Sequence, residues 1–301
     1  MNDATRSLIE QWITVAGRNS EKTRSLYRHG IGKLFLAVDK SPDALTASDL
    51  VTFLQSLEDA KLSPATRAAY ISSARSFFKF LENEGVIAKS PLNILRRPRV
   101  APTNLNDFLT ADEARAMMRA AKPRERLPLA LALTTGLRVG ELLAVEWRHL
   151  YVDPQGQRGL MVTWGKGGGT RVLPVFDPLW SLIVQDRQRQ GLSTDFSTRD
   201  TSPLIAGVRT QQGMFAMVRR IAVRAGIGKT PGVHTLRATF ATLSAASGAD
   251  PMALMADLGH HRLETVMLYV RGARGLSDSS AGLVSALLFD QQPKRRRKRA
   301  A

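Results

Sequence analysis

The chain has 301 residues, with 43 Lys plus Arg against 26 Asp plus Glu, a formal charge of +17, and no cysteine. That balance points to a polyanionic partner, and the missing thiols exclude disulfides and thiolate metal sites, as suits a reducing compartment. No apolar run approaches the roughly 18 residues that span a bilayer. Met1-Asn2-Asp3-Ala4 also lacks the charged start and apolar stretch of a signal peptide, so a cytoplasmic protein without a membrane partner is expected.

The first part reads as helices only. An opening helix carries Leu8, Trp12 and Ile13. Leu26, Ile31, Leu34, Phe35 and Val38 then recur at helical spacing after a cap at Ser20, and Leu50, Phe53, Leu54 and Leu57 follow Thr46. Ser63-Pro64 supplies a cap and a first-turn proline for a further helix with Tyr70, Ile71, Ala74, Phe77, Phe78 and Leu81, closed by Gly85. Residues 1–95 are therefore expected to form one helical module, whose polar faces hold Arg18, Lys22, Arg24, Arg28, Lys61, Arg67, Arg75 and Lys79.

Pro91, Pro98 and Pro102, with Arg96, Arg97 and Arg99 between them, break helical periodicity, which makes 96–106 a basic interdomain linker. Thr110-Ala111-Asp112-Glu113 is a capping-box pattern with Leu109 as its hydrophobic staple, so a second domain starts near Asp107 and is expected to run over 107–290. It is mixed in character. A Leu- and Ala-rich helix from about Leu127 leads into the turn before Arg138, and the β-like runs Met161–Trp164 and Thr170–Leu173 flank Gly165-Lys166-Gly167-Gly168-Gly169 as a hairpin tip. Helices resume afterwards, and Leu276, Leu283, Val284, Leu287 and Leu288 mark a terminal helix with an apolar face. A basic tail, 291–301, contains six consecutive cations from Lys294 to Arg299, and the chain without it is still basic.

The chemistry lies in a few polar residues of the second domain. A phosphodiester under attack becomes five-coordinate with extra charge on its non-bridging oxygens, and fixed guanidinium groups match that geometry with paired donors. Arg138, in Gly136-Leu137-Arg138-Val139-Gly140-Glu141, and Arg237, in His234-Thr235-Leu236-Arg237, fit that role. A free phenol ionises at about pH 10, so a tyrosine nucleophile needs a base or a cationic pocket. Tyr269 is the candidate nucleophile and His234 the base. His260, in Leu258-Gly259-His260, would donate to a phosphate oxygen, Lys166 on its glycine-rich tip would protonate the leaving 5′ oxygen, and Glu141 would orient Arg138 or a histidine. Each piece alone has an ordinary reading as a surface or core residue. Yet the chain has only five histidines and four tyrosines, and two of the first and one of the second fall in register with the arginines.

These boxes resemble the tyrosine recombinases, or phage integrases, including Xer-like resolvases. Thr135–Leu142 is similar to the family's first arginine box. Gly165-Lys166-Gly167 with Arg171-Val172-Leu173-Pro174-Val175 is similar to its lysine hairpin, and His234–Arg237, Leu258–His260 and Tyr269 to its second catalytic stretch and nucleophile. The resemblance implies two domains: an all-α, SAM-like core-DNA-binding module and a mixed α+β, mainly helical catalytic domain. It implies cleavage and rejoining of duplex DNA through a 3′-phosphotyrosyl intermediate, with four subunits exchanging strands between two sites through a Holliday junction. The partners it implies are double-stranded DNA with inverted half-sites and further copies of the chain docked through the C-terminal helix, with room left for a second recombinase or an accessory protein. No cofactor or metal is expected, because there is no Gly-x-x-x-x-Gly-Lys-Ser/Thr loop and no carboxylate cluster suited to two magnesium ions. Two alternatives remain at this point: DNA relaxation of the type IB topoisomerase kind, and a catalytically silent DNA-binding protein.

Overall fold

The computed structural model describes residues 3–16, 21–94, 107–164, 169–260 and 262–273. The chain divides into two compact units, Met1–Thr103 and Asn104–Ala301.

In the first unit, α1 (Asp3–Ala16), α2 (Glu21–Ala37), α3 (Ala47–Asp59) and α4 (Pro64–Asn83) pack around one apolar core. The caps act as the local sequence suggests. Asp49 accepts from the Thr46 backbone at 2.8 Å, and the Thr66 N–H donates to Ser63 Oγ at 3.1 Å. Beyond α4, Gly85 adopts φ +70, a conformation glycine enters without steric cost. Trp12 is fully buried, stacked on Tyr27 at 4.7 Å and edge-on to Phe77. One core expectation fails. Leu26 is 40% exposed, because α2 is rotated so that Tyr27 meets Trp12. Close packing of α2 on α4 depends on Gly30, where a Cβ would lie 2.7 Å from Ser73 Oγ. The Ser20 cap lies outside the described residues.

The second unit starts with α5 (Ala111–Ala120), capped reciprocally by Thr110 and Glu113, and continues through α6 (Pro123–Thr135) and α7 (Val139–Ala144). A three-stranded antiparallel sheet follows in the order β1 (Leu150–Val152), β2 (Arg158–Trp164), β3 (Gly169–Pro174), with Val162 opposite Arg171 and Trp164 opposite Gly169. The expected hairpin is thus present, and β1 extends it. Its buried face, with Leu160, Val162 and Leu173, joins the main core, while Met161 and Val172 face out. Helices α8 (Asp177–Arg189), α9 (Gln211–Arg224), α10 (Val233–Ala246), α11 (Pro251–Leu258) and α12 (Leu263–Ala273) complete the unit.

A smaller apolar cluster of Ala241, Leu254, Leu258, Val266 and Val270 binds α10, α11 and α12 together. The segment entering this unit also holds α10. The Leu109 N–H donates to Thr239 Oγ1 at 2.9 Å, and the Thr235 hydroxyl donates to Asp107. No described helix is long and apolar enough to cross a membrane. The basic linker, the tip residues 165–168 with Lys166, the terminal apolar helix and the basic tail lie outside the described residues.

Candidate active site

Two helix ends build the site. Helix α6 stops at Gly136 and α11 at Gly259, both left-handed with φ of 60 and 59, and each turn leaves carbonyls at the electronegative end of its helix. Two arginines bind those carbonyls. Arg237, on α10 and only 4% exposed, donates through Nη1 to Gly136 O and through Nη2 to Leu258 O, both at 2.6 Å. Arg138, the residue before α7, reaches Gly259 O at 3.3 Å through Nη2. Burial first, and then the charge of Arg138, lower the Arg237 pKa to about 10, so it remains a cation at neutral pH but a strained one.

Glu141 lies beneath Arg138 with an 8% exposed side chain. It accepts from the Arg138 backbone N–H at 2.9 Å and from Arg138 Nη1 at 3.0 Å. Burial opposes its ionisation, but the hydrogen bonds and charges of Arg171 and Arg138 prevail and hold the carboxyl below its usual range. Glu141 thus contacts both the backbone and the guanidinium of Arg138.

His260 follows the Gly259 turn, fixed by its own N–H to Met255 O at 3.0 Å. Its Nε2 lies 2.7 Å from Arg237 Nη2. A guanidinium can only donate, so Nε2 accepts and the neutral ring carries its proton on Nδ1. Burial, followed by the charges of Arg237, Arg138 and Arg171, lowers the His260 pKa to about 4. At neutral pH the ring is uncharged, and its buried Nδ1–H is a donor with no partner among the described residues. Tyr269, half-buried on α12, lies nearly parallel to this ring with centroids 6.4 Å apart.

Five of the sequence-derived residues, Arg138, Glu141, Arg237, His260 and Tyr269, therefore converge. His234 is exposed in the first turn of α10, three residues before Arg237 and so on the same helix face. Lys166 lies outside the described residues. Sequence reasoning did not assign a role to Arg171. It is 7% exposed on β3 and donates to Glu141 at 2.8 and 3.3 Å. Strand alternation puts it on the same face as the buried Leu173 and Val175, and a cation on a buried strand face was the available signal. Asp257 on α11 was also missed. Burial raises its pKa, with the charge of Arg171 acting the other way.

Paired guanidiniums, a neutral imidazole and a phenol beside it are the groups that attack on a phosphodiester requires. Residues 107–274 match the phage integrase family and residues 9–85 its N-terminal SAM-like domain. The chain is 30% identical over 279 residues to tyrosine recombinase XerC of Xanthomonas campestris pv. campestris, covering 89% of this chain and 84% of the relative. It is 29% identical over 284 residues to tyrosine recombinase XerD of Listeria innocua, covering 89% and 94%. The fold is similar to that of a lambda integrase (residues 75–356) dimer bound to a core site, with a TM-score of 0.70, 22% identity and coverage of 88% and 94%. It is also similar to the Tn1549 transposon integrase in complex with transposon right-end DNA, with a TM-score of 0.72, 17% identity and coverage of 94% and 98%. The chain belongs to the phage integrase, or tyrosine recombinase, family. It is a site-specific DNA recombinase.

Proposed function

We propose that Tyr269 is the nucleophile of this recombinase and that Arg138, Arg237 and His260 bind the scissile phosphate, with His234 and Lys166 moving protons. The observation that carries this reading is the convergence of both arginines, the neutral His260 ring and the Tyr269 ring around the ends of α6 and α11. The Tyr269 oxygen bonds to phosphorus and its proton passes to His234. The P–O5′ bond breaks, and its electron pair leaves on the 5′ oxygen, which takes a proton from Lys166. A 3′-phosphotyrosyl ester remains. It keeps the energy of the broken diester, and the reverse steps with a 5′ hydroxyl from the other duplex rejoin the strand.

In this reading residues 1–95 bind the core DNA, 96–106 form the linker, 107–290 catalyse and 291–301 add basic affinity. Four copies act on paired inverted half-sites in the cytoplasm, joined through the apolar face of Leu276, Leu283, Val284, Leu287 and Leu288. A lambda integrase tetramer bound to a Holliday junction is among the structures of similar fold, which supports such an assembly.

The test uses the duplex sequence that the full chain selects from a random library, rebuilt with a nick beside the cleavage point so that religation is prevented. Wild type accumulates a covalent 3′-phosphotyrosyl adduct, and Tyr269→Phe forms none while binding within about twofold of wild type. An adduct persisting in that variant would place the nucleophile elsewhere.

A further inference from the structure

We propose that Arg171 is a positioning residue for cleavage, acting through Glu141 to set where the Arg138 guanidinium points. This rests on the reading of Arg138 as a phosphate ligand.

The two oxygens of Glu141 are shared evenly. Oε1 accepts from Arg138 Nη1 at 3.0 Å and Arg171 Nη1 at 3.3 Å, and Oε2 accepts from the Arg138 backbone at 2.9 Å and Arg171 Nη2 at 2.8 Å. Arg171 and Glu141 are both almost fully enclosed, with 6% and 8% exposed side chains, whereas Arg138 is 45% exposed. The buried partner is thus the arginine on the strand, and the arginine that faces outward is the one assigned to DNA.

A buried ion pair is a poor source of stability compared with apolar packing of the same volume, so stability alone does not account for an arginine here. Its effect on Arg138 does. With Arg171 present, the negative charge of Glu141 is largely neutralised from below, and Arg138 is oriented by the carboxylate without being fully paired to it. Without Arg171, an uncompensated buried carboxylate draws the Arg138 guanidinium inward, away from the phosphate. A lysine cannot substitute, because a single ammonium lacks the planar fork that bridges both oxygens.

The same strand extends to the glycine-rich tip, since Arg171 follows Gly169 by two residues and sits opposite Val162. That provides a rival route, through Lys166, which the experiment separates.

Single-turnover cleavage by the full chain is measured at saturating DNA on the nicked duplex described above. Arg171→Met cleaves at least tenfold more slowly, with DNA affinity within about threefold and an unchanged far-ultraviolet circular dichroism spectrum. Arg171→Lys is also slowed. The defect shrinks to under threefold when a methyl group replaces one non-bridging oxygen of the scissile phosphate, because less charge then needs a guanidinium. Adding Arg171→Met to Arg138→Ala slows cleavage by less than threefold further, since both act through one group. Full additivity overturns the proposal. So does recovery on a substrate with sulfur at the bridging 5′ position, which would mean that Arg171 acts through leaving-group protonation. If both Arg171 variants fail to fold, the pair is a folding element and the proposal falls. If Arg138→Ala by itself cleaves normally, the phosphate-ligand reading fails first.

Discussion

Gly136→Ala is the substitution for which the structure gives the most specific expectation. Gly136 has φ +60, and a Cβ there would clash with Phe240 Cδ1 and lie 3.0 Å from Leu258 Cδ2. The left-handed conformation costs an alanine roughly 1 kcal/mol. Forcing a methyl group into a packed site adds about 1–3 kcal/mol, so the total is roughly 2–4 kcal/mol. For a unit of this size each kcal/mol moves the melting temperature by about 2–4 °C, which gives a fall of about 5–15 °C in the second unit.

The damage also reaches the chemistry. Phe240 is one turn from Arg237 on the same helix, and Gly136 O is itself an acceptor for Arg237. A shift of about 1 Å in a positioned group costs up to ~100-fold in rate, so cleavage should fall at least tenfold even well below the melt. Gly140→Ala is the control for stability. Nothing lies within 4 Å of its Cβ position, and its backbone is helical, so the melting temperature should hold or rise slightly. Calorimetry and single-turnover cleavage check both variants. A Gly136→Ala protein that melts within about 2 °C of wild type and cleaves normally would refute the reasoning.

Other outcomes follow from the same geometry. Arg237→Lys, with one ammonium in place of a fork that serves two carbonyls and His260, should slow cleavage by on the order of a hundredfold and leave DNA affinity nearly unchanged; equal losses in both would make Arg237 a simple phosphate anchor. Unfolded histidine takes up a proton near pH 6.5, but His260 in the fold does so only near pH 4. The folded state should therefore lose stability as pH falls through that window, and no further below it. Denaturant titrations at pH 7 and 5 should show this loss, roughly 2 kcal/mol, and His260→Gln should remove it; identical pH dependence in wild type and variant would exclude His260. Truncation before Leu276 should spare binding to one site but abolish assembly on paired sites and strand exchange, as read by sedimentation, and a truncated protein that still joins two duplexes would refute docking through that helix.

Local sequence determined those parts whose physics is local. The Thr110–Glu113 capping box, the Ser63-Pro64 start of α4 and the turn at Gly136 need only their immediate neighbours, and all three appear in the structure where the sequence places them. The hairpin from Met161 to Leu173 was legible for the same reason, since alternation and glycines specify it within one short segment. Leu26 was misplaced because helical spacing gives a face only to within a residue or two, and the Trp12 ring across the core decided that Tyr27 turns inward. The residue types of the site were also legible, because Arg138, Arg237, His260 and Tyr269 sit in short recognisable boxes.

Their states were not legible. The neutrality of His260, the lowered pKa of Arg237 and the Arg171–Glu141–Arg138 arrangement arise from burial and from contacts between residues up to 121 positions apart. A charge responds to the dielectric and to the dipoles around it in space, and only the tertiary packing that brings the ends of α6 and α11, helix α10 and the strand carrying Arg171 together determines those.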